Sequence, residues 1–194
     1  MPLSTPAPRE LSHHRSIHCR GFERKDGLWD IEGHLVDTKT FPVPFVHRGG
    51  MIAAGDPIHE MWLRLTLDLD FLIHDVEAAT DWHPHKTCNE VPPRFQQLRG
   101  LVIGRGWKKK LNELFGGTLG YTHLVDLPGA VAATAYQTLS PIRKQRDLAA
   151  GNYRPPVIDT CHALAADGEV VRMLWPEHYT GPKHYTGPKH DAGG

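Results

Sequence analysis

The sequence predicts an α+β domain, an antiparallel β-sheet built from hairpins and packed against two to three helices. Three observations carry this expectation. Apolar and polar residues alternate with period two on either side of Asp26-Gly27, the spacing of strands with one buried face. The same alternation returns between residues 60 and 79. From Trp107 onward the apolar residues change to helical spacing, punctuated by glycine.

The elements follow in order. Residues 17–25 and 28–40 flank Asp26-Gly27, a hairpin turn signal. In the second of these strands Trp29, Ile31, Gly33 and Leu35 share one face, and Asp30, Glu32, His34 and Val36 share the other. Residues 42–58 hold Pro42, Pro44, Gly49, Gly50, Gly55 and Pro57 and read as a loop long enough to line a site. Residues 60–67 and 71–79 form a second hairpin. A two-residue turn at Leu69-Asp70 sets Arg64 opposite Asp75 and Trp62 opposite Glu77, and puts His74 on the apolar face with Leu72, Val76 and Ala78. A three-residue turn would reverse the face of His74.

The helical half opens near Asn89 and runs to about Leu98, with Pro92 and Pro93 early; Gly100, Gly104 and Gly106 then break the chain. Residues 107–115 read as a helix that stops at Gly116-Gly117. Leu124, Leu127, Val131, Ala135 and Leu139 recur at helical spacing, so 122–139 is mostly helix, with Pro128 at its start or at a kink. Residues 140–156 read as a connector, and 157–164 with 169–174 as another hairpin across Ala166-Asp167-Gly168. The chain thus divides into a flexible arm over 1–15, one domain over 16–176 and a disordered tail over 177–194. The tail carries the duplication HYTGPK at 178–183 and 184–189, with His178, His184 and His190.

Composition bounds the function. Lys+Arg and Asp+Glu both number 22, so no global charge draws the chain to nucleic acid or to an anionic membrane. No apolar run approaches the ~20 residues of a membrane span, and the first residues lack the apolar stretch of a signal peptide. Cys19, Cys88 and Cys161 are odd in number and far apart, which points to a reducing, cytoplasmic setting rather than a disulfide framework. The unusual number is 14 His, enough for a site that works by proton transfer or metal binding near neutral pH.

Several constellations are candidates for that site. Asp30-x-Glu32-x-His34 is followed by Asp37 and Lys39; alternation aims Asp30, Glu32 and His34 at one sheet face, where a carboxylate orients a ring and raises its basicity. The alternative is a solvated face. His59-Glu60-Met61-Trp62, with His74-Asp75-x-Glu77, puts His59 at the mouth of a strand and makes Trp62 either a stacking platform or a packed ring. Gly116-Gly117-Thr118-Leu119-Gly120 leads into Tyr121, Thr122 and His123 at a helix start, a place for an oxyanion or for plain capping. Gly100 to Gly106 has neither a Walker spacing nor a dinucleotide fingerprint. Cys161-His162 has no Cys-x-x-Cys companion that would make a structural zinc site.

Four strings, HCRGFERKDGLWDIEGHLVDTKT, HEMWLRLTLDLDFLIHDVEAATD, GWKKKLNELFGGTLGYTHLVDL and DTCHAL, resemble those of a bacterial family known as domain of unknown function 2889, over about residues 8–176. Members of that family usually carry Cys where this chain has Tyr121. Some relatives resemble lyases that release formaldehyde from lignin-derived aromatic dimers. That resemblance implies a cofactor-free lyase that deprotonates a hydroxymethyl group. His34 or His59 is then the base and Glu32 its orienter. His123 and Tyr121 hold a phenolic oxygen, Trp29, Trp62 and Phe45 line an aromatic slot, and Lys39 and Arg64 are further substrate contacts. The residues leave two alternatives open: a His-ligated metalloenzyme acting on another small aromatic or acyl substrate, and a non-catalytic binding or assembly protein. The partner expected is a small aromatic substrate, with self-association into a homo-oligomer.

Overall fold

The computed structural model describes residues 3–46 and 49–181. The chain divides into two compact units, Met1–Arg143 and Lys144–Gly194. The class is α+β, as expected. In the first unit β1 (His13–Glu23), β2 (Trp29–Lys39), β5 (Pro57–Leu67) and β6 (Ile73–Trp82) form an antiparallel sheet in the order β1-β2-β5-β6. β1 begins inside the stretch assigned to an arm. Between β2 and β5 the chain is not a bare loop: β3 (Val43–Phe45) and β4 (Gly50–Ile52) pair as a separate two-stranded ladder.

Alternation fixes the two faces of the sheet. Trp29, Ile31 and Leu35 on β2, Met61, Leu63, Leu65 and Leu67 on β5, and Ile73 and Val76 on β6 are buried. They pack against Phe95 and Leu98, against Trp107, Leu111 and Phe115 of α1 (Trp107–Phe115), and against Leu124 of α2 (Thr122–Val125). α3 (Leu127–Ala149) adds Leu127, Val131, Ala135 and Leu139, the row read from the sequence. Each such large aliphatic side chain contributes about 1.5–3 kcal/mol by leaving water.

α3 crosses the sheet closely because two glycines, Gly33 and Gly21, stand on the side that faces it. A Cβ on Gly33 would lie 2.6 Å from Val131 Cγ2 and 3.2 Å from Leu127 Cδ2, and one on Gly21 would overlap Thr138. A β-branched valine on a helix has little rotamer freedom to move aside.

Four further expectations need correction. The β5–β6 register is two residues longer than predicted: Arg64 faces Glu77 and Trp62 faces Ala79. The connection is a wider turn over 68–72, in which the Asp68 carboxylate accepts the N–H groups of Asp70 and Leu72 and Phe71 adopts φ 63°. A bulge between Thr66 and Leu67 then turns His74 out of the apolar face, where its Nε2 lies 2.8 Å from Asp68 Oδ2. Residues 86–98 form two 3₁₀ segments, Lys86–Glu90 and Pro92–Leu98, rather than one helix; Pro92 and Pro93 have no N–H to donate.

The other two corrections concern the end of the chain. α3 runs on through the expected connector to Ala149, with Pro141 inside it, because Ile142 continues the apolar row three residues after Leu139. In the second unit residues 157–174 form no hairpin. They give a 3₁₀ turn at His162–Leu164 and α4 (Glu169–Leu174). Asp159, at φ 60°, accepts the Ala166 N–H on its side chain and donates its own N–H to the Leu164 carbonyl, so local turns take the groups a ladder would need. Of the tail repeat, His178 closes a 3₁₀ turn, and 182–194 with His184 and His190 lie outside the described residues.

The glycine contact is testable. Gly33→Ala should lower stability by about 1–3 kcal/mol. Gly129→Ala, also on α3 but with nothing within 4 Å of its added Cβ, should raise it by up to about 1 kcal/mol. Chemical denaturation reads both; equal midpoints for Gly33→Ala and the parent would contradict the close approach.

Candidate active site

Asp37 ends the buried row of β2. Its side chain is 1% exposed, and a carboxylate so placed needs compensation, because an unpaired buried charge costs several kcal/mol. The sheet supplies it from both neighbours. Arg15, directly across on β1, donates Nε to Oδ1 and Nη2 to Oδ2, each at 2.7 Å, the bidentate fork that suits a carboxylate. His59, directly across on β5, sets Nδ1 3.0 Å from Oδ2. His13 Nε2 stands 3.3 Å from Oδ1 and His123 Nδ1 3.7 Å from Oδ2. Arg15 also donates Nη1 to Asp126 Oδ2 at 2.6 Å and rests Nη2 against His123 Nδ1. The β2–β5 ladder slips between Asp37 and Thr38; such bulges re-aim side chains.

These contacts set the protonation states. Burial raises the Asp37 carboxyl, but the Arg15 guanidinium outweighs it and holds the group below the usual carboxylate range. The same pairing with Asp37 pushes Arg15 up. Burial, and next the charge of His123, push His59 down to about 4. Burial, and next Arg15, lower His123. Both imidazoles are therefore neutral at pH 7. The bond to an ionised Asp37 assigns the His59 proton to Nδ1 and leaves its lone pair on Nε2.

The two rings stack at 3.8 Å, and Tyr121 meets them edge-on at 6.1 and 5.6 Å. The Tyr121 hydroxyl is buried beside the Cys88 thiol, and no other hydrogen-bond partner reaches it among the described residues. Burial, and next the Cys88 thiol, push its pKa up, so it stays a phenol that can donate. Tyr121 also lines a pocket of about 250 Å³ together with Thr87, Cys88, Val91, Arg94 and Thr118.

The structure sorts the residues singled out from sequence. It brings His59, His123 and Tyr121 together around Asp37. His34, Glu32, Trp62 and Arg64 lie together on the opposite face of the sheet. There His34 stacks on Trp62 at 3.5 Å, with Nε2 2.9 Å from Glu60 Oε1. Arg64 joins Glu32 at 2.9 Å to Glu77 at 2.6 Å, and the Trp62 indole donates to Asp81. Trp29 is a core residue at the far end of β2, eight positions from Asp37, about 26 Å along the strand. Phe45 belongs to the β3–β4 ladder. Lys39 ends β2 beside Asp37's row, with its ammonium 5.5 Å from the Phe41 ring. Arg15, His13 and Asp126 were not foreseen. The signal for Asp37 was present: alternation places it with Leu35, a charge at the end of an apolar row.

Residues 13–137 match the family described as "Protein of unknown function (DUF2889)", and the chain belongs to that family. The match runs from the first residue of β1 into α3 and contains every residue around Asp37. No curated protein and no solved structure matches the chain significantly. No helix among the described residues is long and apolar enough to cross a membrane.

The burial of His59 predicts a pH dependence of stability. An unfolded histidine takes up a proton near pH 6.5, and the folded one only near pH 4. The unfolded state therefore binds more protons in that window, and stability falls as pH drops from about 6.5 to 4 by about 3 kcal/mol, levelling for this group below. Denaturation at several pH values should show the slope, and His59→Gln should make it shallower, leaving the part that His123 contributes. An unchanged slope in the variant would contradict the assignment.

Proposed function

We propose that the protein is a proton-transfer enzyme, a carbon–carbon lyase that deprotonates a hydroxymethyl group on a small aromatic substrate and releases it as formaldehyde. The observation that carries this reading is the Asp37–His59 pair: a neutral imidazole whose Nδ1–H is held 3.0 Å from a buried carboxylate. Such a pair fixes the tautomer and orientation of a general base and stabilises the imidazolium that forms. Tyr121 supplies the complementary group, a buried phenol edge-on to both imidazoles with only the Cys88 thiol beside its hydroxyl.

The step balances as follows. His59 Nε2 takes the hydroxyl proton of the substrate's CH₂OH group. The C–O bond becomes C=O as the carbon–carbon bond breaks, and formaldehyde leaves. The substrate's phenol first loses its proton together with the benzylic hydroxyl, as water, to give a quinone methide; the electron pair released from the carbon–carbon bond then runs through that quinone methide to its oxygen, which becomes phenolic again with Tyr121 and His123 donating to it. Arg15 keeps Asp37 ionised throughout. No redox group is needed, since nothing is oxidised or reduced overall. The three cysteines are free, which supports a reducing, cytoplasmic setting.

The test is formaldehyde release from a panel of phenolic dimers that carry a hydroxymethyl group. His59→Gln should lower the rate by about 10²–10⁴ and Tyr121→Phe by about 10²–10³. Glu32→Gln, on the opposite face, should change it by no more than about twofold. Full activity in His59→Gln would refute the reading. Saturable binding with no product from any dimer would move it to a binding module.

A further inference from the structure

We propose that Asp37, His59 and His123 form a two-histidine–one-carboxylate site for a divalent first-row transition-metal ion, and that Arg15 is the built-in cation that holds the site when no metal is bound. The three side chains come from β2, β5 and α2, and one donor atom from each lies within 4.8 Å of the others. Donors about 2.1 Å from a common ion stand about 3.0–3.4 Å apart at octahedral or tetrahedral angles. Asp37 Oδ2 is 3.0 Å from His59 Nδ1 and 3.7 Å from His123 Nδ1, so one separation falls in that range and a second lies a little beyond it. The rings are stacked at 3.8 Å, and both Nδ1 atoms approach the same carboxylate oxygen. Two imidazoles and a carboxylate suit zinc, iron(II), cobalt(II) and manganese, and three protein ligands leave positions for water or substrate.

Arg15 explains how the same atoms serve without an ion. Its Nη2 contacts both Asp37 Oδ2 and His123 Nδ1, two of the three atoms a metal would take. The residue has somewhere else to go. It stands on the edge strand β1, its side chain is 32% exposed, and Nη1 already holds Asp126 at 2.6 Å. Metal entry then exchanges one cation for another: the guanidinium leaves Asp37, keeps Asp126, and the buried carboxylate never loses its counter-charge. Coordination through His59 Nδ1 moves the ring proton to Nε2. If the lyase reading holds, the metal-loaded form therefore lacks its free base, and metal and turnover compete. The metal site itself does not depend on that reading.

The experiment is calorimetric titration of the chelator-treated full chain with Zn²⁺, with no substrate present, and cobalt(II) absorption as a second readout. The parent should bind one equivalent in this site. Arg15→Gln, by removing the competitor, should bind about tenfold more tightly. His123→Asn should weaken that equivalent by about a hundredfold or more while melting near the parent. The tail histidines give any background, and that background should be the same in all three proteins. Zn²⁺ binding equal in the parent and His123→Asn, or no cobalt spectrum in either the parent or Arg15→Gln, would overturn the site. Formaldehyde release by metal-free protein is read separately, so the two proposals fail independently.

Discussion

A single buried carboxylate organises this end of the molecule. Asp37 is placed out of water by strand alternation alone, since a residue two beyond Leu35 must face the helices. Once there it must be neutralised, and the sheet answers with one partner from each adjacent strand, Arg15 from β1 and His59 from β5. The pairing fixes more than charge. A one-residue slip of β1 would send Arg15 to the outer face and leave Asp37 unpaired, so electrostatics and hydrophobic burial select the same register. Asp126, next to α2, ties the helical layer to the same guanidinium.

The sheet also separates two chemistries that the sequence intermixes. On the outer face Arg24 with Asp30, and Arg64 with Glu32 and Glu77, form a ladder of partly exposed ion pairs. Such pairs are each worth little in water, and their imidazole, His34, is stacked on Trp62 and bound to Glu60. On the inner face the same residue types are shielded. Charge there is costly to move, imidazoles stay neutral, and a phenol hydroxyl is kept protonated by its burial. Those are the conditions under which side chains take up and release protons at useful pH values.

Much of the architecture was legible. The β1–β2 hairpin, the faces of β2, the stop of α1 at Gly116 and the apolar row of α3 all follow from local rules. What escaped depended on chemistry that spacing does not encode. The Asp68 side chain captured two backbone N–H groups and widened the β5–β6 turn, which carried His74 outward. The Asp159 side chain took the Ala166 N–H in a segment that alternates like a strand. The proline pair at 92 and 93 tightened a helix into 3₁₀ turns. For the site, periodicity identified His59, His123 and Tyr121 as residues at the ends of elements. It missed Arg15, because its value comes from a partner 22 residues away and is visible only once the β1–β2 register is known. Glu32 was attractive as an orienter by nearness in sequence, yet alternation already placed it on the face away from Asp37.

The location of Arg15 has a further consequence for motion. β1 is an edge strand, and edge strands ordinarily fray from their ends, where few contacts oppose opening. Here Arg15 is the third residue from the start of β1, so peeling that end would strand an ionised carboxylate in the protein interior. The opening is penalised by electrostatics rather than by packing, and the penalty vanishes once another cation sits on Asp37. Backbone amides at the beginning of β1 should thus exchange with solvent slowly for a terminus while Arg15 holds the carboxylate, and readily once it is relieved. The outermost strand of the sheet becomes a mechanical reporter of what occupies its buried centre.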